Sequence, residues 1–117
     1  MTNITKSNIY ANIPASAKDE ITEILAQSKS VRIERIISTA SAESFGGQVG
    51  QTSPEGFFYD QEENEFVIVL KGKAVISFED GTKVELNEGD FLNITKHLKH
   101  RVDFTSNPTV WLAVFFA

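Results

Sequence analysis

Glu65 stands directly before "FVIVL", a run that is apolar at every position and so suits a strand covered on both faces. A carboxylate there is costly unless it is paired or coordinates something. His100 opens "HRVDF", in which Val102 and Phe104 alternate with Arg101 and Asp103, so strand parity puts His100 on the inward face with the apolar residues. A glutamate and a histidine facing one cavity make a metal pair. Taken singly, each has a plainer reading: His100 as a half-buried ring bonded to a backbone carbonyl, and Glu65 as the end of a solvated "DQEENE" turn.

Tyr59 and Gln61 share a parity just ahead of Glu65. A phenol oxygen or an amide carbonyl can complete an N/O coordination shell, though less strongly than imidazole, and Tyr59 could instead act as a catalytic acid or base. His97 precedes His100 across a bend and either reaches the same site or marks its rim. Arg35 shares the parity of Val31, Ile33 and Ile37, an inward face unless a bulge intervenes. There it would hold a substrate carboxylate by a bidentate contact; the alternative is a structural ion pair with a neighbouring acid.

These residues need a frame. From Val31 onward the hydrophobic period is two: "VRIERIIS", "FVIVLKG", "AVISF", "KVEL", "FLNIT", "HRVDF" and "VWLAVFF" are short, rich in Val, Ile and Phe, and separated by Gly and Pro turn signals. Asp80-Gly81 predicts a hairpin between "AVISF" and "TKVEL". Ahead of the strands, "PASAKDEITEILAQS" carries Ile21, Ile24 and Leu25 at helical spacing, with Ser16 as N-cap and Asp19 and Glu20 in the first turn, which predicts a short amphipathic helix. The segment from Ser38 to Phe57 reads as a long loop or irregular strand at a barrel mouth. The expectation is one domain over 1–117, a helical segment to residue 30 and an all-β barrel from 31.

The 117 residues suffice for one hydrophobic core. With 16 acids against 11 bases and no basic cluster, nucleic acid is not an expected partner. The absence of cysteine removes disulfides and thiolate metal sites, leaving N and O donors. Only short apolar runs occur, so no membrane segment is expected and the cytoplasm is the default location.

The stretch from Tyr59 to Phe104 resembles the cupins, small jelly-roll (double-stranded β-helix) barrels whose two motifs bracket one metal site. In the first motif, two histidines one residue apart are followed by a glutamate and then a glycine; Glu65 and Gly72 fit its end, while Tyr59 and Gln61 occupy the histidine positions. In the second motif, Gly89 and His100 fit, with Thr95 at the usual proline and His97 at the usual glycine. The helix, "RIERI" and "TVWLAVF" resemble a subgroup of small bacterial cupins over nearly the whole chain. The resemblance implies inherited ligands at Glu65 and His100, with Gln61 and His97 as further candidates for a divalent ion (Zn, Ni, Fe or Mn), a small polar molecule in the barrel, and a homodimer. It leaves two functions open: a metal-dependent enzyme, with Arg35 or the "SFGGQVGQTSPEG" loop selecting the substrate, or a non-catalytic module binding a sugar-like ligand through a degenerate site.

Overall fold

The computed structural model describes residues 2–40 and 50–117. Eight strands follow one another: β1 (Ile21–Gln27), β2 (Val31–Ser38), β3 (Asn64–Lys71), β4 (Ala74–Phe78), β5 (Lys83–Leu86), β6 (Phe91–Ile94), β7 (His100–Thr105) and β8 (Thr109–Phe116). They form a five-stranded sheet in the order β1-β2-β8-β3-β6 and a three-stranded sheet in the order β5-β4-β7. All the pairings are antiparallel, as the lack of strand–helix alternation predicts. Residues 50–59 extend the smaller sheet beside β7, with Gly50 N–H bonded to the Thr105 carbonyl, Ser53 N–H to that of Val102, and Tyr59 bridged to His100.

The expected helix over residues 14–28 is not formed; its second half is β1. Paired antiparallel with β2, β1 sets Ile21 beside Ile37 and Glu23 beside Arg35, and shifts register at Leu25. As a helix, the segment would have to bury Ile21, Ile24 and Leu25 together. As a strand it meets the backbone donors and acceptors of β2, which would otherwise be an open edge, and leaves Ile24 and Leu25 about half exposed at 53% and 48%. Pairing along a whole strand outweighs the local helical pattern.

The core lies between the two sheets. Val67, Val69, Trp111, Ala113 and Phe115 from the larger sheet meet Ala74, Ile76 and Leu86 from the smaller, all at most 7% exposed. The hairpin forms where Asp80-Gly81 places it, in a three-residue loop: Phe78 N–H bonds the Thr82 carbonyl, Asp80 Oδ1 accepts from Thr82 N–H, and Gly81 alone takes a positive φ, 92°. Of the long segment expected after Ser38, residues 41–49 lie outside the described residues.

One end of the barrel is closed by hydroxyl groups. Ser106 Oγ accepts from Lys73 N–H and lies 2.9 Å from Thr109 Oγ1, whose other contacts are the carbonyls of Lys73 and Ser106. Gly72 turns this corner at φ 87°, where a Cβ would lie 2.5 Å from the Pro108 carbonyl oxygen. Among the described residues, no helix is long and apolar enough to cross a membrane.

Candidate functional site

At the other end the sheets part around a cavity of about 450 Å³. Glu65 and His100 both line it, arriving from opposite sheets. On β3 the alternation makes Glu65, Val67 and Val69 the inward set, so the carboxylate is the first inward position of the strand. On β7, His100 pairs with Phe78 and Val102 with Ile76. A bulge at Asp103 then changes the parity: Phe104 pairs with Val75 rather than continuing the inward row of His100 and Val102, as simple alternation would have it.

His100 is 4% exposed, and its Nδ1 donates to the Leu98 carbonyl at 2.9 Å. That bond fixes the ring, so in the neutral imidazole Nε2 carries the lone pair and faces the cavity. Nε2 lies 3.6 Å from Glu65 Oε1, beyond an ordinary hydrogen bond. Glu65, 8% exposed, has His100 as its polar partner. Burial depresses the His100 pKa, but the Glu65 carboxylate and the Leu98 carbonyl together outweigh it, and the net shift is upward. The gap therefore favours a positive charge, whether a proton on Nε2 or a cation between the two groups.

Gln61 and Tyr59 line the same cavity. Tyr59 stands at the mouth, 38% exposed, its ring 5.8 Å from that of His100 and 4.9 Å from that of Phe57. The Gln61 backbone carbonyl accepts from His97 N–H at 2.7 Å, while its side-chain amide has no partner among the described residues.

Two expected residues are placed elsewhere. His97 takes the left-handed conformation, φ 63°, which accounts for the glycine usual at its position in the resembled motif. Its ring lies outside the cavity, with Nδ1 2.8 Å from Asp60 Oδ1. Arg35 is buried, but not on the cavity wall. The inward row of β2 is Glu34 and Ile36, so Arg35 and Ile37 face the other way. There Arg35 bonds Glu23 through Nε at 2.8 Å and clamps the N-terminal segment through the carbonyls of Ile9 and Ala11, at 2.9 and 2.6 Å. It makes a structural ion pair, on the face it shares with the buried Ile37.

Several lining residues escape the sequence reading. Glu34 and Ile36 belong to the face of β2 that the Ile33/Ile37 row obscures, although the mixed polarity of "RIERI" signals that both faces are covered. Glu20, assigned above to a helix turn, lies just before β1 on the cavity wall and accepts from Ser38 Oγ at 3.2 Å. Its pKa is raised: desolvation is the largest cause, the Ser38 hydroxyl opposes it, and the charges of Glu65 and Glu34 add to it. Trp111 and Phe115 supply aromatic wall.

Is there a metal shell? Donors about 2.1 Å from a tetrahedral ion lie about 3.4 Å apart, so the Glu65–His100 pair is spaced for a shared ion without rearrangement. No third His, Cys, Asp or Glu joins them in such a group among the described residues. Further protein donors would be the uncharged Gln61 and Tyr59.

A family profile described as a cupin domain matches residues 48–115. A crystal structure from Ralstonia eutropha JMP134, provisionally named a mannose-6-phosphate isomerase, is 39% identical, with 97% of this chain and 98% of that one covered at a TM-score of 0.84. A cupin superfamily protein from Desulfitobacterium hafniense DCB-2 is 21% identical over 89% of this chain and 83% of its own, TM-score 0.67. An RmlC-like cupin with a double-stranded β-helix fold from Methanocaldococcus jannaschii is 19% identical over 86% and 82%, TM-score 0.64. These two share the fold. A comparison with curated proteins finds no match.

Proposed function

The chain belongs to the cupin family, and from that premise we propose that it binds a divalent ion between Glu65 and His100 and takes a small polar molecule into the cavity beside them. The observation that carries this reading is the apposition, at 3.6 Å, of a buried carboxylate and an imidazole nitrogen whose ring is held by Leu98. Gln61 supplies an amide oxygen and Tyr59 a phenol at the mouth.

When bound, such an ion supplies Lewis acidity toward a ligand carbonyl or hydroxyl. The chain's own groups do the rest. The Leu98 carbonyl keeps the proton on Nδ1 of His100. Tyr59 is placed to hold or release a proton at its phenol oxygen, and the apolar walls of Val67, Ile76 and Ile94 exclude water behind the site. The replacement of two imidazoles by Tyr59 and Gln61 favours a second reading, binding without turnover, because uncharged oxygen donors hold a divalent ion less firmly.

Metal analysis of protein purified without an affinity tag tests the site. Near-stoichiometric metal in the natural protein and its loss in His100→Ala is the expected result; metal that persists in the variant, or is missing from both, rejects it. We further propose a homodimer in the cytoplasm. The outer face of the larger sheet carries the Phe66–Phe91 ring pair, 5.2 Å apart, with Phe91 60% exposed, a surface suited to a second copy. Light scattering at the monomer mass would reject the dimer.

A further inference from the structure

The cavity is unbalanced in charge. Among the described residues, Asp19, Glu20, Glu34 and Glu65 face it, with His100 as the one basic side chain and no lysine or arginine. The segment 41–49, "SAESFGGQV", holds a further glutamate and no base, so it brings no positive charge wherever it lies. The arginines of the adjoining strands are engaged. Arg32 pairs with Glu34 and with Glu63 at 3.1 Å, its guanidinium 4.5 Å above the Phe115 ring. Arg35 is held on the outer face by Glu23. Arg101 bonds Asp103 at 2.7 Å and the carbonyls of Ser53 and Pro54. A phosphate monoester, such as the name of the Ralstonia relative suggests, would enter among carboxylates with no guanidinium or ammonium to receive it.

The same inventory favours the opposite charge. Of the three glutamates on the wall, Arg32 neutralises Glu34. Glu65, 8% exposed, is paired with His100, and Glu20 has only the Ser38 hydroxyl among the described residues. Trp111, 3% exposed, and Tyr59 offer aromatic surface to the same space. Buried or half-enclosed carboxylates beside aromatic rings form the environment that receives an ammonium group, through charge-assisted bonds and the negative ring faces.

Resting on the reading of this cavity as the functional site, we propose that its ligand is a small organic cation, an amine or quaternary ammonium, seated on Glu20 against Trp111 and Tyr59, beside the Glu65–His100 pair. The cavity, about 450 Å³, is within the range that encloses small molecules. Glu20 is the specificity residue of this proposal and stands apart from the Glu65–His100 metal pair.

Trp111 is the single tryptophan of the chain and reports directly on occupancy. The experiment titrates tag-free protein with 1,4-diaminobutane, tetramethylammonium, glucose and glucose 6-phosphate, following Trp111 fluorescence and, independently, heat. Saturable binding of at least one of the two cations, no binding of glucose 6-phosphate, and about tenfold weaker cation binding in Glu20→Gln are expected. Tighter binding of glucose 6-phosphate than of either cation, cation affinity unchanged in Glu20→Gln, or no saturation by either cation would overturn the proposal. Glu20 precedes β1 and is solvent-accessible, so its substitution leaves the fold intact, which far-ultraviolet dichroism checks. His100→Ala separates the two readings: it is expected to lose metal while keeping the cation, so failure of the metal site leaves the cation result standing.

Discussion

At the closed end of the barrel, Ser38, Thr105 and Thr109 are fully buried and each hydroxyl has a partner within the chain; Thr39 Oγ1 is the one buried side-chain polar atom without one among the described residues. At the open end, Glu65 and His100 are almost as buried, yet they face each other across 3.6 Å, wider than an ordinary hydrogen bond. The two ends thus use burial differently. Hydroxyls satisfied at close range stabilise the fold, whereas a pair held across a gap keeps an affinity in reserve for something that arrives from solution.

The sharpest way to break this contrast is at the Gly72 corner. A Cβ there meets the Pro108 carbonyl at 2.5 Å and forces a side chain into φ 87°. Gly72→Ala is expected to lower unfolding free energy by about 3 kcal/mol in urea titration. An unchanged midpoint would mean that the closed end tolerates rearrangement and is not the stabilising half.

At the open end the expected changes fall on binding instead. Gln61→His restores an imidazole at a position whose amide has no partner among the described residues, and about tenfold tighter divalent-metal binding by calorimetry should follow, with little change in thermal midpoint. Unchanged affinity would mean that the side chain at position 61 does not reach the ion.

The smallest effect separates the ends by pH. The raised Glu20 pKa means the folded state keeps this proton to higher pH than the unfolded chain does, so stability falls as pH rises from the ordinary value of 4.5 through the raised one. Glu20→Gln removes that dependence. The variant should match the natural protein in acid, below both values, and melt slightly higher at neutral pH. A variant that melts lower at neutral pH would show the charge to be favourable in the folded state.

Much of this was legible in the sequence. The seven segments of period two all became strands, because alternation reports directly on a half-buried sheet. Glu65 and His100 were brought to one cavity by parity and motif spacing. The N-terminal strand was not legible, since the spacing of Ile21, Ile24 and Leu25 is helical and only the unpaired edge of β2, a feature of the assembled sheet, makes a strand the better use of that segment. Arg35 was misplaced for a related reason: both faces of β2 are covered, one by the barrel interior and one by the N-terminal strap, so apolar character could not say which was inside. Glu20 was read into a helix turn and Glu34 was not singled out, because what distinguishes them is the wall opposite.

The bulge at Asp103 also has a bearing on how such a protein can change. Val102 and Thr105, three positions apart, both pair with inward residues of β4, Ile76 and Ala74, which strict alternation would forbid. The added residue uncouples the two halves of β7. Loss of Asp103 itself would bring Val102 and Thr105 two positions apart and restore plain alternation, with both halves keeping their faces. The bulge is therefore a place where β7 can lose a residue without turning over, and descendants of this sequence can vary the ligand-facing half without renegotiating the seal.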